Sequence, residues 1–286
     1  MSEEQLVKGR ILRWLTQKGD HDWGRDPAHF DPRAVEATLR WVNRFIGPLN
    51  YFRLDAQGLH RVPSVASLVV SNHSGGTTIP DVWGFMAAWY AQFGTERPLH
   101  PMAHEMVFST RFTAPYFATR GVLRASPGLG LKVLTRWRRD LMVMPGGDLD
   151  TWRPYRERFK VRFGGRVGYA RLALRAGAPI VPVANVGAHE TLYVLTDGRK
   201  LAQAIGLHEI ARSDVFPIHL SLPWGLGIGP LPHIPVPGTL RYLIGSPITP
   251  PRTFEPEEPI PEALVRELDA EVREAIQHQL DELARA

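Results

Sequence analysis

Val69-Val70-Ser71-Asn72-His73-Ser74-Gly75-Gly76-Thr77-Thr78-Ile79-Pro80-Asp81 is the stretch on which the reading of this chain turns. The apolar run Val65, Leu68, Val69, Val70 predicts a buried strand that stops at Ser71-Asn72-His73. Two glycines and two threonines then make a turn, and Pro80-Asp81 opens an apolar segment to Tyr90 that predicts a helix. Strand, polar turn and helix start in that order put chemistry at the carboxyl end of a strand in an open α/β sheet. A histidine there exchanges protons near neutral pH, and Asp81 is near enough along the chain to accept from its other ring nitrogen. The same two residues also fit a bland account. An aspartate in a first helical turn is favoured by the dipole, and a turn histidine can be merely satisfied. The surrounding pattern has to decide.

Working outward, strands and helices alternate. Val122–Ala125, Leu141–Met144, Pro179–Val186 and Leu240–Ile244 predict strands. Pro80–Tyr90, the segment around Met102–Phe117, Leu129–Arg138 and Arg166–Ala176 predict helices. Strands separated by helices imply an α/β fold with a mostly parallel sheet flanked by helices. Towards the N-terminus a helical pair is expected, Gln5–Lys18 and a second helix with Asp31 as N-cap and Pro32 in its first turn. The second carries the stripe Val35, Leu39, Val42, Ile46 and ends at Gly47-Pro48. Its basic and aromatic residues allow either packing on the main domain or contact with an anionic membrane surface. At the C-terminus, Glu262 onward carries the stripe Leu264, Leu268, Val272, Ile276, Leu280 of an amphipathic helix. The expected division is an N-terminal helical segment, 1–54, and a catalytic domain, 55–286.

Composition narrows the chemistry. With no cysteine in 286 residues, disulfides, thiolate metal sites and thiol nucleophiles are excluded, which fits a reducing cytosol. The N-terminal MSEEQLVKGR is too polar for a signal peptide. Apolar runs are interrupted too early for a membrane span. The uncharged run Val215–Leu240 holds six prolines and four glycines, so it is no spanning helix; it lies in a membrane surface or packs on the core.

Net charge is 34 − 29 = +5, yet Trp152–Arg175 alone carries eight basic residues against Glu157. Arg153, Arg156, Arg158 and Arg166 within it are candidates for holding phosphate or an anionic headgroup, unless the run is simply a solvated basic face. Nucleic acid is disfavoured, because aromatics interleave only at Trp152 and Tyr155. Gly121-Val122-Leu123-Arg124 ends a strand with an arginine, and Met144-Pro145-Gly146-Gly147-Asp148 runs a strand into a glycine turn whose amides can approach a ligand. No Gly-x-Ser-x-Gly elbow and no Gly-x4-Gly-Lys-Ser/Thr loop is present. His100 and His104 lie four apart without a third ligand, so no metal site is expected.

Taken in order, these blocks resemble the glycerolipid acyltransferase superfamily, with its Asn-His-x4-Asp, Gly-x-x-x-Arg, Phe-Pro-Glu-Gly and paired-proline strand. The counterparts are Asn72-His73…Asp81, Gly121…Arg124, Met144-Pro145-Gly146-Gly147 and Pro179-Ile180-Val181-Pro182-Val183. Two departures stand out. The family aspartate position holds Thr78, with Asp81 eight residues after His73, and the family glutamate is Gly146. The resemblance implies transfer of a fatty acyl group from acyl-CoA or acyl carrier protein to a glycerolipid hydroxyl. His73 would be the general base, with no acyl-enzyme and no bound cofactor. It further implies phosphate binding by Arg124 and the Arg153–Arg166 group, and an acyl groove lined by Trp83–Tyr90 or by the Val215–Leu240 run. Asp148, Asp150 or Arg153–Arg158 would replace the glutamate. The expected place is peripheral, on the cytoplasmic face of a membrane. A thioester or ester hydrolase and a non-catalytic lipid-binding relative remain open alternatives.

Overall fold

The computed structural model describes residues 22–42, 49, 51–204, 207 and 214–285. The expected helix Gln5–Lys18, and Ile46 with Gly47-Pro48 of the second, lie outside the described residues. Helix α1 (Pro32–Trp41) starts as expected, the Asp31 side chain accepting from the Arg33 amide. Strand β1 is Phe52–Gln57 and β2 is Leu68–Ser71. Helix α2 (Pro80–Phe93), β3 (Leu99–Ala103), α3 (Thr113–Ala118), β4 (Leu123–Arg124), α4 (Pro127–Thr135) and β5 (Asp140–Val143) follow. Then come α5 (Asp148–Thr151), α6 (Gly168–Ala176), β6 (Ile180–Val186), β7 (Tyr193–Thr196), α7 (Arg199–Ala204), β8 (Ile218–Ser221), β9 (Gly225–Ile228), β10 (Gly238–Ile244) and α8 (Glu262–Arg285).

Seven strands form one sheet in the order β1-β10-β6-β2-β5-β3-β4, and β7-β8-β9 form a small antiparallel sheet. Within the large sheet every neighbouring pair is parallel except β10 against β6. The period-two alternation of β2 divides its side chains between two cores. Leu68 and Val70 enter the core under α4, α6 and α8; Val69 enters the one under α1 and α2. On α8, Val265, Leu268, Val272, Ile276 and Leu280 are each no more than 3% exposed. At about 1.5–3 kcal/mol per buried side chain, this stripe ties the C-terminal helix to the sheet.

Strand β1, in which residue 54 lies, pairs with β10, and Val35 of α1 is buried in the α2 core. One sequence expectation is corrected. The segment around Met102–Phe117 is not continuously helical: its start belongs to β3, where Pro101 and His100 break the strand-like texture. The Val215–Leu240 run contributes β8, β9 and the beginning of β10.

Candidate active site

β2, β5 and β6 are adjacent parallel strands, so their carboxyl ends deliver three loops to one edge of the sheet. From β2 comes His73. After it, Gly75 and Gly76 take positive φ, a 3-10 turn spans Gly76–Thr78, and Ile79 sits at φ 42. A β-branched residue in the left-handed region is an outlier that costs energy and persists only when its surroundings enforce it. Here it stands between the Gly76–Thr78 turn and Pro80, the first residue of α2. The bulged loop brings Asp81 back, and His73 Nδ1 donates to Asp81 Oδ2 at 2.7 Å. The extra residues between histidine and aspartate therefore loop out. Thr78, at the family's aspartate position, instead hydrogen-bonds His233 Nε2 through its hydroxyl at 3.0 Å.

Asp81 is 1% exposed and also accepts from the amides of Ser74 (2.8 Å) and Val82 (2.9 Å). These donors fix the carboxylate, and the carboxylate fixes the imidazole. With Nδ1–H committed to Asp81, Nε2 is left as the acceptor, and among the described residues it has no partner. The His73 side chain is 15% exposed, so this nitrogen is reachable. Burial pulls its pKa down, but the adjacent Asp81 charge and hydrogen bond, with Asp150 behind them, override burial and hold it above the ordinary 6.5.

Asp150, one of the residues expected to stand in for the missing glutamate, is brought against His73. The turn after β5 carries it into the site, where its Oδ2 accepts from the His73 amide at 2.6 Å. Its other oxygen pairs with Arg153, and both side chains are 0% exposed. Arg153 donates further to the carbonyls of Lys160 and Arg158. Burial pushes the Asp150 carboxyl up against the pull of that guanidinium. From β6, the Asn185 amide donates to Asn72 Oδ1 at 2.8 Å, and Asn72 Nδ2 donates to the Asn185 carbonyl at 2.9 Å. Ser74 Oγ donates to Asn185 Oδ1 at 3.0 Å. A polar residue inside the apolar strand Ile180–Val186 is the signal that could have exposed this clamp.

The other sequence candidates are distributed as follows. Pro145, Gly146 and Gly147 form the turn beside the site, braced by Arg166, which donates to the Gly146 carbonyl (2.8 Å) and to Asp148 Oδ1 (3.1 Å). A Cβ on Gly146 would meet Asp150 Cβ at 2.3 Å, so only glycine lets α5 close over the loop. Arg153 cannot bind a ligand phosphate, because it is sealed against Asp150. The basic run is no continuous phosphate cradle either: Arg158 faces Glu190 at 3.4 Å, Arg162 faces Asp197 at 3.1 Å, and Arg171 pairs with Glu262. Arg156, 82% exposed, lies 3.7 Å from Glu157. Arg124 pairs with Glu105 and donates to the Trp23 carbonyl at 2.8 Å. Its strand lies three places from β2, about 14 Å at ordinary strand spacing. Gly121 underlies His100, whose Nδ1 donates to the Gly121 carbonyl at 2.8 Å. Burial drives the His100 pKa down to about 4. No three acidic or histidine side chains among the described residues are grouped to hold a metal.

An apolar groove of about 360 Å³ abuts the site, lined by Val35 and Leu39 of α1, Trp83 and Met86 of α2, and Leu54. Thr78 and Pro80, on either side of Ile79 in the loop that follows His73, are among its lining residues. Pro235 and Leu240 are the lining residues supplied by the proline-rich run.

The mostly parallel sheet with a C-terminal helix packed on it is a fold this chain shares with a solved acyltransferase. The chain is similar to the solved 1-acyl-sn-glycerophosphate (LPA) acyltransferase PlsC from Thermotoga maritima. The TM-score is 0.52 at 15% identity, with 98% of this chain and 90% of that one covered. Uncharacterized proteins of Mycobacterium tuberculosis and Mycobacterium bovis are each 29% identical over 280 residues, covering 96% of this chain and 74% of theirs. One from Mycobacterium leprae is 27% identical over 283 residues. No protein-family model matches the chain.

Proposed function

We propose that the protein transfers a fatty acyl group from a thioester carrier, acyl-CoA or acyl carrier protein, to a hydroxyl of a glycerolipid or lysophospholipid. The observation that carries this reading is His73, clamped through Nδ1 to buried Asp81 with Nε2 left to accept a proton, in a loop whose Thr78 and Pro80 line an apolar groove. Nε2 takes the proton of the acceptor hydroxyl as its oxygen attacks the thioester carbonyl. The C–S bond then breaks, and the proton passes from the imidazolium to the departing thiolate. Asp81 steadies the imidazolium formed in between. The groove falls within the range of about 300–1,000 Å³ usual for ligand pockets and accepts the hydrocarbon tail. Incubation with acyl-CoA and a panel of lysophospholipids, glycerol phosphates and diacylglycerol, followed by lipid mass spectrometry, tests the reading. Acylated lipid that appears only with an acceptor supports it, whereas free fatty acid released at an acceptor-independent rate assigns the site to a hydrolase.

The titration of His73 gives a second test. The base works when neutral, so kcat/KM rises with pH through a pKa above 6.5. In Asp81→Asn the largest influence raising that pKa is gone and burial is left to lower it. The rising limb moves to lower pH, while the plateau falls because the ring loses its orienting acceptor. A limb that stays put in the pH–rate profile of D81N contradicts the pairing. Stability follows the opposite sign. The pair's contribution is complete below pH 6.5 and fades as pH climbs through the raised value.

A further inference from the structure

We propose that the outer face of the small sheet β7-β8-β9 lies on an anionic lipid bilayer. This rests on the lipid-acceptor reading above for the need of a bilayer, and on its own surface chemistry for the place. Register puts Tyr193, Leu220 and Leu226 in one cross-strand row, 45%, 46% and 58% exposed. The neighbouring row, Val194, His219 and Gly227, points inward and is buried. Ile228, two residues from Leu226, shares the outer face and is 53% exposed. An antiparallel sheet with one wet face normally alternates apolar-in and polar-out. Here the outward row is apolar while the buried row carries His219, and a contiguous exposed apolar patch marks an interaction surface. Between β8 and β9 stands Trp224, 49% exposed, with its indole N–H donating to the Pro232 carbonyl at 2.6 Å. Its polar edge is satisfied and its ring is left exposed, the disposition that suits tryptophan to the membrane–water interface.

Charge selects the occupant. Tyr155 packs on Tyr193 with ring centroids 4.3 Å apart, which sets Arg156, 82% exposed and 3.7 Å from Glu157, beside the patch. At the other end of β7, Arg199 is 47% exposed and Lys200 follows it into solvent. Asp197, the acid nearest them, is shared between Arg162 and Arg199. An apolar face with a cationic rim complements anionic headgroups above an acyl layer. A second copy of the chain would set basic rim against basic rim. The inner face also reaches the candidate site, since His219 lies 5.2 Å from the Trp152 ring and Thr77 Oγ1 donates to the Leu231 carbonyl at 3.1 Å. A bilayer on the outer face is thus held next to the His73 loop, where a lipid acceptor must enter.

Co-sedimentation of the full chain with phosphatidylcholine vesicles, with and without one quarter phosphatidylglycerol, tests this. The wild type partitions to the anionic vesicles, less so as salt rises. Leu226→Glu combined with Ile228→Glu loses at least tenfold in partitioning with unchanged circular dichroism, melting and gel-filtration volume. Partitioning of the double variant at the wild-type level overturns the proposal, as does a wild type indifferent to anionic vesicles. A shift from dimer to monomer in that variant with vesicle binding intact also overturns it and hands the face to a second copy. His73→Ala should partition like the wild type. If the wild type transfers no acyl group yet L226E/I228E abolishes partitioning, the docking face stands and the acyltransferase reading falls.

Discussion

Asp150→Ala is expected to destabilise the fold by about 3–5 kcal/mol, the largest stability effect of any single change near the site. The reason is what it leaves behind. Arg153 is fully buried, and without the carboxylate its charge stays in the interior with the Lys160 and Arg158 carbonyls as its remaining partners among the described residues. The His73 amide loses its acceptor at the same time. Chemical or thermal denaturation reads the effect, with Tm falling by roughly 6–20 °C for a chain of this size. Asp150→Ala combined with Arg153→Met should recover part of the loss, because the uncompensated charge is gone. Recovery stays incomplete, since the two carbonyls and the amide are still unpaired. A single variant as stable as the wild type would mean that the pair does not brace the β5 turn against the β2 loop.

How far the chain could be read follows from where its interactions are local. β2, its polar turn and α2 were legible because Val69-Val70, the two glycines and Pro80 each favour the structure they occupy. The His73–Asp81 contact was legible only as a wager: its geometry depends on three residues swinging out through Gly75, Gly76 and Ile79, and spacing alone cannot fix a loop. The basic run Trp152–Arg175 read as a ligand surface because its partners are far away in sequence. Asp197, Glu190 and Glu262 come from elements that only folding brings near. β1 escaped notice because Arg53 and Asp55 belong to an edge strand that is wet on one side, and β3 because Pro101 and His100 mimic a loop. In the proline-rich run, proline and glycine masked the alternation of Leu220, Leu222, Leu226 and Ile228, whose period of two was there to be seen.

His73→Ala tests the central claim. Asp81 keeps the Ser74 and Val82 amides when the ring is removed, so the fold and the vesicle partitioning should survive. Losing a positioned general base costs about 10²–10⁴ in rate, or about 2.7–5.4 kcal/mol in activation free energy. Asp81 cannot substitute, because its carboxylate is 1% exposed and turned towards the ring and the helix start. The decisive measurement is the initial rate of acylated-lipid formation from acyl-CoA, quantified by mass spectrometry for the wild type and H73A against the same acceptors. The account predicts a fall of at least a hundredfold in a variant that still melts cooperatively; transfer by H73A within a fewfold of wild type would contradict it.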